Sequence, residues 1–142
     1  MSNDVKSCSS QKEQVKRTFK IAELAEKLMR TTIRNLAHSP KKFRPNYINS
    51  LNKYVVEIYE SINKANYYKD FNKDKTIEYI LKIKTNLYLL DDMIEILRKE
   101  DGISSDKEIE ILDISGEFEY LFTPWANKYL SWWKSGTLKT TF

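Results

Sequence analysis

An all-α four-helix bundle is the fold this sequence predicts, on three observations. Glycine and proline are scarce, 3 of each in 142 residues, while 41% of the chain is hydrophobic. That composition suits long helices better than a turn-rich β fold or a disordered chain. Apolar residues recur at spacings of three and four through four separate segments, the period of a helix with one buried face. The breaks between these segments are a few residues long, so successive helices are expected to run antiparallel, up-down-up-down, within one domain. A chain of this size buries roughly two thirds of its unfolded surface, enough for a single core.

The elements follow in order. Met1 to Gln14 is polar and rich in Ser and Lys, too poor in apolar surface to offset its ordering entropy, and reads as a flexible N-terminal arm. The bundle domain is expected over 15–133, followed by a short tail over 134–142. Helix 1, near Val15 to Ala37, carries Ile21, Leu24, Leu28, Thr32 and Leu36 on one face and Lys16, Lys20, Lys27, Arg30 and Arg34 on the other. The stretch Ser39-Pro40-Lys41-Lys42-Phe43-Arg44-Pro45 ends it, because proline lacks a backbone donor and pushes its predecessor out of the α region.

Helix 2 is predicted from about Asn46 to Lys69 with Ile48, Leu51, Val55, Ile58 and Ile62 inward. Helix 3, about Lys75 to Lys99, has a main stripe of Ile80, Ile83, Leu87, Leu90, Ile94 and Leu97. Leu89, Met93 and Ile96 lie on another side, and a helix apolar on more than one side needs more than one packing partner. A subunit interface is expected there, although a fully central helix would also account for it. Lys84, Asp91 and Arg98, seven apart, flank the stripe at a spacing suited to ion pairing.

Asp101-Gly102 supplies a C-terminal glycine to helix 3, and Ser104, Ser105 or Asp106 can cap helix 4 through a side-chain oxygen. Helix 4, roughly Asp106 to Trp133, puts Ile111, Phe118, Phe122, Trp125 and Tyr129 along one face, and Pro124 is expected to bend it. Aromatics crowd its second half, and Trp125, Trp132 and Trp133 join Leu89, Met93 and Ile96 as the expected partner or oligomer surface.

Charge is polarised along the chain. Residues 1–75 hold 16 Lys/Arg against 8 Asp/Glu, whereas residues 76–142 hold 8 against 12, so the total of +4 hides a basic half and an acidic half. A basic surface of this kind faces a polyanion. The chemistry of catalysis is sparse. His38 is the sole histidine and Cys8 the sole cysteine, and no glycine-rich phosphate loop, Ser/His/Asp set or paired CxxC is present. Asp91-Asp92 and the cluster Glu108, Glu110 and Asp113 lack the E-x-x-H spacing of di-iron bundles. The sequence therefore predicts a non-catalytic protein with no cofactor or metal. No run approaches the ~20 apolar residues that span a bilayer, and Met1 to Gln14 lacks the apolar core of a signal peptide. A cytoplasmic protein is expected.

Pro40-Lys41-Lys42-Phe43-Arg44, then Ala65-Asn66 before a polar link, then Leu97 through Gly102-Ile103-Ser104, and Glu117-Phe118-Glu119-Tyr120-Leu121-Phe122-Thr123-Pro124-Trp125 occur in an order and spacing that resemble one bacterial family. It comprises the Avd accessory proteins of diversity-generating retroelements and the proteins encoded in 23S rRNA intervening sequences. The resemblance covers about residues 18–131. Two departures mark it: Glu119-Tyr120 stands where the family has Gly-Arg, and Thr123-Pro124 where it has Gly-Gly.

The resemblance implies a ring-shaped homo-oligomer, a pentamer, with a basic face for RNA or DNA and a reverse transcriptase as partner, in a bacterial, archaeal or phage-encoded setting. On this reading Lys16, Lys20, Lys27, Arg30, Arg34, Lys41, Lys42 and Arg44 contact phosphates. The competing expectation is a protein-binding helical scaffold of the intervening-sequence type with no nucleic-acid role.

Overall fold

A computed structural model describes residues 20–132, with the side chain of Trp132 excepted. The N-terminal arm, the predicted start of helix 1 with Lys16, and Trp133 with the tail lie outside the described residues. Within them the chain is helical throughout, without a strand: α1 over residues 20–36, α2 Asn49–Tyr68, α3 Lys73–Lys99 and α4 Ser105–Trp132.

The first break is shorter than the sequence predicts. Pro40 is extended, with φ −54° and ψ 139°, but a tight 3₁₀ turn, Lys41–Phe43, follows at once. It runs into a wide π turn, Arg44–Ile48, whose last bond is donated by the Asn49 amide to the Arg44 carbonyl. Pro45 sits at the start of that turn, where its missing N–H costs nothing and its fixed φ suits a helix. The joint is thus a helical lead into α2, and it carries Lys41, Lys42 and Arg44 on its surface around the buried Phe43.

α3 begins at Lys73, two residues earlier than expected, because the Asn72 side chain accepts a hydrogen bond from the Lys75 amide at 3.1 Å. Of the three candidate caps for α4, Ser104 serves: its hydroxyl accepts from the Lys107 amide at 3.3 Å. At the C-terminus of α3 the left-handed residue is Asp101, with φ 62°, and not Gly102. Gly102 is one place further on, where its amide donates to the Leu97 carbonyl at 2.8 Å while the Asp101 amide donates to that of Arg98 at 3.0 Å. These two bonds form a Schellman closure. α4 continues through Pro124 to Trp132.

All four helices contribute to one core. Leu28, Leu36, Leu51, Ile58, Ile62, Ile80, Ile83, Leu90, Ile94, Leu97, Phe118 and Phe122 are fully enclosed. Each enclosed aliphatic side chain is worth about 1.5–3 kcal/mol relative to its exposed state. Phe118 and Phe122 stack, with ring centroids 5.3 Å apart. Between helices, Tyr68 of α2 stacks on Tyr79 of α3 at 5.9 Å, and the Ser115 hydroxyl of α4 donates to Asp91 of α3 at 3.0 Å. Arg98 of α3 pairs with Glu108 of α4 at 2.8 Å, and Arg34 of α1 with Glu110 of α4 at 3.2 Å. Of the expected helix-flanking charges of α3, Arg98 thus finds an ion-pair partner on α4 and Asp91 a hydroxyl, whereas Lys84 has no ion-pair partner among the described residues. Among the described residues no helix is long and apolar enough to cross a membrane.

Candidate nucleic-acid interface

The predicted phosphate-contacting residues divide according to the carboxylates beside them. Lys20, Lys27, Arg30 and Arg34 are all exposed on α1, as the helical period requires, because the opposite face holds Ile21, Leu24 and Leu28. Arg30, however, pairs with Glu26 one turn earlier at 2.8 Å. Arg34 reaches across to α4, where Glu110 also accepts from the amide of the buried Asn35 at 3.2 Å. Lys20 and Lys27 have no ion-pair partner among the described residues.

The same holds for the joint. Lys41, Lys42 and Arg44 are exposed without a carboxylate partner among the described residues, and the Lys42 ammonium lies over the Phe43 ring, 5.0 Å from its centroid. The Phe43 ring, buried and edge-on to Tyr47 at 5.9 Å, anchors this basic turn to the core. Three cations in four residues therefore project from a segment fixed by its own aromatic plug.

On the far side of α4 the character reverses. A groove of about 450 Å³ between α3 and α4 is bordered by Asp91, Asp92, Glu95 and Glu119, with Lys84 at its rim. Burial pushes the Asp91 carboxyl above the usual carboxylate range; the Ser115 hydrogen bond opposes the rise and Glu119 adds to it. An anion would be repelled here. Among the described residues no group of three or more His, Cys, Asp or Glu is arranged to hold a metal ion.

No protein-family model matches this chain, and no curated protein matches it.

The residues expected at a partner or oligomer surface divide as well. Met93 and Trp125 are half-buried and packed on the core, with the Trp125 ring 6.2 Å from Phe122 and 5.1 Å from Tyr129. Leu89 is half-buried and Ile96 exposed. More exposed than any of these are Tyr88, at 72%, and Ile109, at 54%. Tyr120, at 80%, is the most exposed large hydrophobic residue described. It falls two positions from both Phe118 and Phe122, nearly opposite them on the helix. That phase was readable in the sequence, but the density of neighbouring aromatics hid it.

A second groove, about 510 Å³ in volume, lies between α1 and α4. Tyr120, Pro124 and Trp125 form its wall on α4, and the two charged residues of its lining are Lys20 and Lys128. Lys128 was not among the expected site residues, since it follows the acidic stretch of α4 in sequence and joins Lys20 only through the packing of the two helices.

Proposed function

We propose that this protein is a non-catalytic nucleic-acid-binding accessory factor. The observation that carries the reading is the set of exposed cations on α1 and the joint, Lys20, Lys27, Lys41, Lys42 and Arg44, that no carboxylate among the described residues neutralises. They lie on α1 and the joint, which contribute no residue to the lining of the acidic α3–α4 groove, and this supports a phosphate-attracting surface apart from it. Contacts of lysine and arginine with phosphates carry little sequence information and release counterions.

The resemblance to the Avd and intervening-sequence family extends the proposal to an antiparallel bundle, a cyclic pentamer and a reverse transcriptase partner in a diversity-generating retroelement. Repetition of the basic face around a ring would multiply weak phosphate contacts into avidity. The test is binding of the purified chain to a structured RNA at low and at moderate salt, with mass from light scattering on the same sample. Steep loss of affinity with salt, further weakened by Lys27→Glu, Lys41→Glu and Lys42→Glu, is the expected result. Affinity that ignores salt would overturn it.

A second reading, a protein-binding scaffold, is supported by one specific observation: Arg30 and Arg34 are already occupied by Glu26 and Glu110, while Tyr88, Ile96 and Ile109 stand exposed. Absence of RNA binding at low salt would move this reading to the front.

A further inference from the structure

Two of the grooves on α4 differ in chemistry, and the contrast bears on what the α1–α4 groove can take; a neighbouring hollow of about 480 Å³ shares Lys20, Tyr120 and Leu121 with it and adds one carboxylate, Glu117. The α3–α4 groove is ringed by carboxylates, whereas both charged residues lining the α1–α4 groove are lysines. Neither Lys20 nor Lys128 has an ion-pair partner among the described residues, so each ammonium is available to an incoming anion. The same lining holds two rings: the phenol of Tyr120 is mostly exposed, and the Trp125 indole is half-buried and braced by Phe122 and Tyr129. Pro124, on the same helix, lines the groove with these two rings, and Ile21 and Leu121 add apolar surface.

A ligand that suits this lining must be flat and apolar on one face and negatively charged at its ends. A volume of about 510 Å³ is within the range of small-ligand sites, ~300–1,000 Å³. Bases stack on exposed rings whatever their identity, because every base has a π face, and the backbone phosphates to either side then meet flanking cations. Pro124 and Trp125 sit on a continuous helix, so the backbone of the wall is in place before anything binds.

The geometry points to the α1–α4 groove as a stacking slot for one unpaired nucleotide of a single-stranded nucleic acid, its base against Tyr120, Pro124 and Trp125 and its flanking phosphates on Lys20 and Lys128. This inference rests on the nucleic-acid-binding reading and adds a strand preference to it. Paired bases are already stacked within a duplex and do not enter the slot, whereas the basic joint accepts either form.

The test uses the full chain with two fluorescent probes, an oligouridylate and an RNA duplex of about 12 nucleotides each, a length within the range that single-strand-binding surfaces engage. Tyr120→Ala and Lys128→Glu alter exposed side chains, so the fold is expected to survive, with circular dichroism as the check. Single strand should bind more tightly than duplex. Tyr120→Ala should weaken the single strand about tenfold, Lys128→Glu should weaken it as well, and both should leave the duplex nearly unchanged. Lys41→Glu, on the joint, should weaken both probes together. Salt-sensitive binding of both probes that neither Tyr120→Ala nor Lys128→Glu alters would overturn the slot and leave the wider reading standing. Failure of the wild-type chain to bind either probe at low salt would overturn both.

Discussion

Arg34 of α1 and Glu110 of α4 lie 3.2 Å apart, and the pair ties the end of the first helix to the beginning of the last. Their side chains are 67% and 47% exposed, so water and salt screen the attraction, and a double-mutant cycle of Arg34→Ala with Glu110→Ala should return a coupling below about 1 kcal/mol. On the proposed nucleic-acid-binding reading, the larger consequence is for RNA. With its charge neutralised, Glu110→Gln leaves Arg34 free to meet a phosphate, and affinity at low salt should rise, by roughly two- to fivefold. Unchanged affinity would place Arg34 away from the bound nucleic acid.

Gly102 and Leu97 give the sharpest stability prediction. A β-carbon at Gly102 would run into the side chain of Leu97, which is fully buried and has no room to retreat. Gly102→Ala should cost about 1–3 kcal/mol, the usual penalty of overpacking. Asp101 holds the left-handed conformation that glycine adopts without strain. Asp101→Gly should therefore stabilise the protein by roughly 0.5 kcal/mol. Urea denaturation of the two variants tests both, and the opposite signs at adjacent positions separate conformational strain from crowding.

These two residues also mark how far the sequence could be read. The stripe Ile80, Ile83, Leu87, Leu90, Ile94 and Leu97 repeats at the helical period, and all six are buried, because one face of α3 meets the rest of the core along its length. The glycine near the helix end was equally visible. Which of Asp101 and Gly102 takes positive φ was not, since the closure depends on how Leu97 packs.

The candidate site was legible to the same degree. Lys27, Lys41 and Lys42 follow from local pattern and stand exposed, whereas Arg30 and Arg34 follow from the same pattern and are taken up by Glu26 and Glu110. Glu26 is one turn away and was readable. Glu110 is 76 positions away and is brought near by the tertiary fold alone.

Thr32 illustrates a core position that the period assigned correctly and the chemistry leaves incomplete. Its side chain is fully buried, and its hydroxyl has no hydrogen-bond partner among the described residues. Burying an unmatched hydroxyl costs about 1–3 kcal/mol. Thr32→Val keeps the branched shape and removes the polar atom, so the variant should be more stable by about 1 kcal/mol, the lower helix preference of valine being similar to that of threonine. Loss of stability would mean that the hydroxyl is satisfied in solution.

Asp91 contributes a pH dependence of stability. Burial is the largest cause of its raised pKa, and Glu119 adds to the rise, while the hydrogen bond from Ser115 at 3.0 Å works against it. The folded state therefore binds the Asp91 proton more tightly than the unfolded chain does. As pH rises through the interval from the ordinary carboxylate value to the raised one, the unfolded state loses its proton first, and the stability contributed by Asp91 falls. Asp91→Asn keeps a group that can bond to Ser115 and carries no charge. Its melting temperature should match that of the wild type in acid and exceed it at neutral pH, the gap opening across that interval. Ser115→Ala should do the reverse: it removes the one contact that favours the charged carboxylate, so its destabilisation should be larger at neutral pH than in acid. A thermal melt series of the three proteins from acid to neutral pH decides the matter, and parallel curves would assign the pH dependence to other carboxylates.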